Sequence, residues 1–146
     1  MLNQKPNKEV LIVDASCLDP HNENGCDEIY DFFKEYIAGL YRYVRTTAKQ
    51  DEVTQILSKE KPDLLLLLLL RAFAAEVFFK VLSETRAISP STKVIVVSRY
   101  ETRWIIEETA RLGADNYIIL PCDLEYFKGE IIKILGPSDI IHWFGE

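Results

Sequence analysis

The side chains able to do chemistry in this sequence are few and scattered. Cys17, His21, Cys26 and Cys122, with Asp14 close by, carry the sulfur, imidazole and carboxylate donors that zinc and redox sites use. Their spacing is that of no common site. The chain has no C-x-x-C pair, and its three cysteines are odd in number and far apart. They read as two residues of a polar loop and one small packed residue, forming neither a disulfide framework nor a metal centre. A second chemistry is contact. Trp104 shares one helical face with Glu107, Glu108 and Arg111, off the apolar stripe of its own segment, as an anchor for a protein partner would. A third candidate, a phosphate cradle, is missing from the first turn: DASCLDPHNENG lacks the Gly-rich or Ser/Thr-rich pattern of nucleotide and flavin sites.

The elements that must position these residues alternate along the chain. Val10 to Val13, ending in Asp14, reads as a buried strand. Ile29, Phe33, Tyr36, Ile37 and Leu40 form a helical stripe from Asp27 onward. Tyr43 to Thr46 reads as an edge strand, and Val53, Ile56 and Leu57 as a short helix that must stop before Pro62. Seven consecutive leucines, Leu64 to Leu70, then make a strand covered on both faces, the centre of a parallel sheet. Phe73, Val77, Phe78, Val81 and Leu82 mark the next helix, and Val94 to Val97 the fourth strand. Ile105, Ile106, Thr109, Ala110 and Leu112 give a helix face closed by Gly113 as the C′ residue. Tyr117 to Leu120 is the fifth strand, and Phe127, Ile131, Ile134 and Leu135 mark a last helix that stops at Gly136-Pro137.

Five β/α units predict an α/β fold: a three-layer, doubly wound, five-stranded parallel sheet with right-handed crossovers. In such sheets the functional crevice lies at the carboxyl ends of the strands. That places Asp14-Ala15, Leu68 to Arg71, Ser98-Arg99 and Leu120-Pro121-Cys122 together.

Composition limits the partners. The 146 residues suit one domain, residues 1–137, followed by an apolar tail or linker start at 138–146 that contains Trp143 and Phe144. A net charge of −6 with no basic run argues against nucleic acid and against an anionic membrane surface. The leucine run is far short of the ~20 residues of a membrane span, and the first residues carry no secretory h-region. These features predict a soluble, cytoplasmic protein.

The strand ends also resemble a known family. LIVDAS at 11–16, KPDLLLLL at 61–68, KVIVVS at 93–98 and LGADNYIILPCDLEYF at 112–127 are similar to the response-regulator receiver domain (CheY-like) over about residues 8–135. The intervals Leu68–Ser98 and Ser98–Leu120 fit the family, while Asp14–Leu68 is longer, its surplus falling in the polar stretch 18–28. The resemblance implies a flavodoxin-like sheet of strand order 2-1-3-4-5 and a two-component phosphorelay module, with roles that carry over position by position. Asp14 and Ala15 stand at the paired acids that hold Mg²⁺, and Leu68 at the phosphoryl-accepting aspartate. Ser98 stands at the hydroxyl that bonds the phosphoryl oxygen, Leu120 at its lysine partner, and Tyr117 at the aromatic switch.

Three of these positions have lost their chemistry. Leucine has no lone pair to attack phosphorus. Mg²⁺ is left one carboxylate, and no lysine neutralises developing charge. Sliding the third strand rescues nothing, since Leu64 to Leu70 are all leucine. The expectation is a degenerate pseudo-receiver without enzymatic activity or cofactor. It would act through a signalling partner or a homodimer, by a surface that includes Trp104, Glu108, Arg111, Tyr117, Trp143 and Phe144. The alternatives are a working receiver whose acceptor is displaced to Asp14 or Asp19, and a flavodoxin-like nucleotide or flavin binder. The segment LLRAFAAEVF also supplies no turn signal, so the helix after the third strand should begin early and partly cover the old pocket.

Overall fold

A computed structural model of the chain describes residues 8–20, 22 and 26–138. Five strands, β1 (Glu9–Asp14), β2 (Tyr43–Thr46), β3 (Leu64–Leu69), β4 (Lys93–Ser98) and β5 (Asn116–Ile119), form one parallel sheet in the order β2-β1-β3-β4-β5. The helices are α1 (Ala15–Leu18), α2 (Glu28–Ala38), α3 (Gln50–Glu60), α4 (Ala75–Ile88), α5 (Arg103–Arg111) and α6 (Leu124–Leu135). This is the doubly wound architecture the alternation predicts. No helix among the described residues is long and apolar enough to cross a membrane.

The leucine run shows why the sheet sits where it does. Side chains of a strand alternate between faces, so the run divides into two sets. Leu65, Leu67 and Leu69 pack with Val53, Ile56 and Leu57 of α3 and Phe78, Val81 and Leu82 of α4. Leu64, Leu66, Leu68 and Leu70 pack with Tyr30, Phe33 and Ile37 of α2 and Phe127, Ile131 and Leu135 of α6. All seven are buried. At roughly 1.5–3 kcal/mol for each fully buried leucine side chain, the central strand anchors both layers at once.

Local chemistry sets the boundaries. Asp27 caps α2 by accepting the Ile29 N–H at 2.9 Å, and Asp123 caps α6 in the same way through the Glu125 N–H. Gly113 follows α5 with φ 101°, a conformation that excludes a side chain on strain alone; a Cβ there would also lie 2.6 Å from the Arg86 Cδ.

Several sequence expectations need correction. The turn after β1 is not simply a polar loop: Ala15–Leu18 winds into a helical turn because Asp14 caps it. The third strand ends at Leu69, and Leu70 stays buried beyond the ladder. The fifth strand starts at Asn116 and stops at Ile119, leaving Leu120 outside it. Phe73 is exposed in a 3₁₀ turn (Ala72–Ala74) that leads directly into α4, and Ala110 faces solvent. The early helical start after β3 is as the missing turn signal implied.

Candidate functional site

At the carboxyl edge, Asp14 pairs in register with Leu68, and Leu69 with Ser98. Asp14 is wholly buried. Its Oδ1 accepts the Ser16 N–H at 2.9 Å and the Ser16 hydroxyl at 2.7 Å. Its Oδ2 has no hydrogen-bond partner among the described residues. Burial pushes this carboxyl above the usual range, and the bonds from Ser16, with a weaker pull from the Asp27 amide, oppose the shift. The β1 acid that the receiver pattern devotes to a metal ion here caps a helical turn.

The other pocket positions are equally committed. Ala15 and Leu68 are buried without an oxygen to offer. Ser98 is buried, and its Oγ accepts the Tyr100 N–H at 3.0 Å. Tyr117 is half-buried and donates its hydroxyl to the Tyr100 carbonyl at 2.8 Å; burial raises its phenol, with a Ser98 hydrogen bond opposing. Leu120 follows β5 through its N–H to the Ser98 carbonyl and precedes a cis Leu120-Pro121 bond. Mg²⁺ prefers several hard oxygens in near-octahedral array. With Asp14 Oδ1 held by Ser16, and aliphatic side chains at 15, 68 and 120, this donor set does not fit it. No cluster of three or more His, Cys, Asp or Glu able to hold a metal occurs among the described residues.

The structure adds a feature that the spacing of residues hid. Asp27, at the start of α2, receives a two-pronged ion pair from Arg99 at the end of β4. Arg99 Nη1 lies 2.7 Å from Oδ2 and Nη2 3.1 Å from Oδ1. Nη1 also donates to the Leu70 carbonyl at 3.0 Å, and Arg71 Nε lies 3.8 Å from the same carboxylate. The Arg99 hydrogen bonds hold the Asp27 carboxyl below its usual range, against a smaller penalty of burial. Arg71 and Arg99 were legible as strand-end residues; their partner lies 72 positions away from Arg99, in a stretch read as surplus loop.

The cysteine reading is also corrected. Cys17 and Cys26 form a disulfide, with Cα atoms 5.2 Å apart. The α1 turn carries Cys17 back toward the residue that precedes the α2 cap, a juxtaposition that nine residues of separation do not disclose. Cys122 is free and half-buried; burial, and to a lesser extent the Asp123 charge, push its thiol up. His21, Trp143 and Phe144 lie outside the described residues.

The described residues form two notable hollows on the surface. The larger, about 600 Å³, is walled by Ile29, Phe32 and Phe33 of α2, by Leu120, Pro121 and Cys122, and by Leu124, with Arg99 at one side. The smaller, about 490 Å³, lies between α4 and α5 and gathers Phe79, Trp104, Glu107, Glu108 and Arg111. Trp104 is 58% exposed, its ring 5.8 Å from that of Phe79. Arg111 pairs with Glu108, and Arg103 with Glu107. Trp104, Glu108 and Arg111 thus come together, whereas Tyr117 turns inward to Tyr100 and does not line the hollow.

No protein-family model matches the sequence. Solved structures do resemble the fold. A response regulator from Thermotoga maritima aligns over 88% of this chain and 98% of its own, with 24% identity and a TM-score of 0.66. A CheY-like receiver domain from Methanospirillum hungatei JF-1 aligns over 88% and 94%, with 22% identity and a TM-score of 0.65. The receiver domain of an HD domain-containing protein from Pseudomonas fluorescens Pf-5 aligns over 91% and 90%, with 15% identity and a TM-score of 0.69.

Proposed function

Since the chain has the response-regulator receiver (CheY-like) fold, we propose that it is a pseudo-receiver: a signal-transduction module that works through protein–protein contact and not through phosphoryl transfer. The observation that carries this reading is the register of Leu68 opposite Asp14 at the carboxyl end of β3. The acceptor position of the fold is a buried aliphatic side chain, and a carboxylate nucleophile is indispensable to the reaction. The commitment of Asp14 to Ser16 and of Ser98 to Tyr100 supports the same conclusion. On this reading the module is not an enzyme, and partners or a second copy of the chain set its conformation.

The decisive test is an amide NMR titration with beryllofluoride and Mg²⁺. Spectra should stay unmoved around Ser98, Tyr100 and Tyr117; saturable shifts there would overturn the proposal. For the contact surface, the exposed Trp104 and the ion-paired Glu108 and Arg111 beside it are the favoured anchor. Trp104→Ala should weaken self-association or partner binding by about tenfold or more, with melting nearly unchanged because the indole is mostly exposed. Unaltered association in sedimentation velocity and in partner titration would remove this face from the reading.

A further inference from the structure

The larger hollow at the carboxyl edge is unexplained by a contact module. Its volume, about 600 Å³, lies within the range of small-molecule sites, and its walls follow their pattern: aromatic and aliphatic side chains with one charged group. Phe32 and Leu124 are 45% and 37% exposed at its rim, apolar surface that a ligand would withdraw from water.

Arg99 decides the ligand's polar end. A guanidinium has five donors. Both Nη1 hydrogens are used, on Asp27 Oδ2 and the Leu70 carbonyl, and one Nη2 hydrogen is used on Asp27 Oδ1. Among the described residues nothing takes the other two, Nε–H and the second Nη2–H. Those two point along the same side of the planar group, the fork that matches the two oxygens of a carboxylate. The surroundings favour an anion: Arg71 and Arg99 share one Asp27 carboxylate. Asp14, the other acid in electrostatic reach of Arg99, is biased toward its neutral form by burial.

We propose that this cavity binds a small amphiphile, an apolar chain or ring ending in one carboxylate. The body lies against Phe32, Phe33, Leu120 and Leu124, and the carboxylate bridges Nε and Nη2 of Arg99. This site goes beyond the pseudo-receiver reading and does not depend on it. Leu120 contributes directly to its apolar wall.

The test is a pair of amide NMR titrations of the intact chain, with octanoate and with its neutral counterpart 1-octanol. Octanoate should bind saturably at millimolar concentration and about tenfold more tightly than octanol. Its shifts should centre on Phe32, Leu120, Cys122, Leu124 and the Arg99 Nε–H. Asp27→Asn keeps a good cap on α2 while removing the competing acid. It should tighten octanoate several-fold and leave octanol unmoved. Arg99→Gln should bring octanoate down to the octanol level. Cys122→Trp should fill the cavity and abolish both. Equal binding of the two probes, no saturable octanoate shift, or octanoate binding that survives Cys122→Trp would each overturn the proposal. If the Arg99 or Asp27 variant fails to fold, the two-probe comparison and Cys122→Trp decide alone. A beryllofluoride response would overturn the pseudo-receiver reading and leave octanoate binding intact, so the two failures are distinguishable.

Discussion

At the amino end of the sheet, Asp63 and Asp115 each sit one residue before a strand and grip its neighbour. Asp63 donates its N–H to the Glu9 carbonyl at 2.9 Å, and its Oδ2 accepts the Glu9 N–H at 2.8 Å. Asp115 does the same to Val94, with both bonds at 2.8 Å. Between them the buried Thr92 hydroxyl bonds the Pro62 carbonyl and meets Ser89. Among the described residues the one buried atom at this end without a partner, Arg86 Nε, belongs to a guanidinium that already holds two carbonyls. At the carboxyl end, among the described residues, one Asp14 oxygen has no partner and two Arg99 donors are untaken, and an apolar hollow stands open beside Arg99. The contrast separates frame from site. Polar groups at the amino end are spent on strand pairing, whereas several at the carboxyl end are held short of satisfaction, where unspent capacity is available to a ligand or partner.

The harshest way to break this contrast is to place an acid at the carboxyl end of the central strand. Leu68→Asp would delete a fully buried leucine from the α2–α6 core and bury a carboxylate beside Asp14. We expect a loss of at least about 4 kcal/mol in urea denaturation, with no recovery on adding Mg²⁺. A variant that is nearly as stable as the native chain and is further stabilised by Mg²⁺ would mean that this edge of the sheet accepts a carboxylate and a metal ion. The carboxyl end would then be a dormant receiver site.

A smaller loss tests the other end. Asp63→Ala removes the acceptor of the Glu9 N–H and should cost about 1.5 kcal/mol, with Asp115→Ala somewhat less because that residue is exposed. Neither should alter octanoate affinity, since both lie at the far edge of the sheet. If either shifted ligand binding several-fold, the two ends would be coupled and the division into frame and site would fail.

Much of the frame was legible in the sequence because it rests on periodicity. The leucine run, the KPD stop before it and the alternation of patterns predict a central strand, and strand order follows from the receiver resemblance. The residues gathered at the carboxyl edge were legible for the same reason, since strand ends can be counted. What escaped depends on contacts between segments remote in sequence or on side-chain direction. The Asp27–Arg99 pair joins residues 72 apart. Cys17 reaches Cys26 from the helical turn Ala15–Leu18, which Asp14 caps through Ser16. Tyr117 could be placed on β5 but not turned toward Tyr100, since a strand pattern assigns a face and says nothing of what the hydroxyl reaches.

The finest test concerns the two acids of the carboxyl end, whose environments push them in opposite directions. Asp27 is lowered by Arg99, so the unfolded chain holds its proton more tightly. The stability from this pair is present above the ordinary carboxylate range near pH 4 and is lost as pH falls through the native value. Asp14 is raised by burial, so the native chain holds the proton more tightly. Its effect has the reverse sign: stability falls as pH climbs from about 4 through the raised native value, because an unpartnered charge must then be carried inside the protein. Asp14→Asn keeps an equally good cap for Ser16 and carries no charge. It should therefore stabilise the chain by about 1 kcal/mol near pH 8 and by almost nothing near pH 4, read from denaturation midpoints at the two pH values. Asp27→Asn should instead cost stability at pH 8 and flatten the acid limb. If Asp14→Asn destabilised the chain equally at both pH values, the Asp14 carboxylate would be as fully employed as Asp63 and Asp115, and the contrast between the two ends of the sheet would collapse at its central residue.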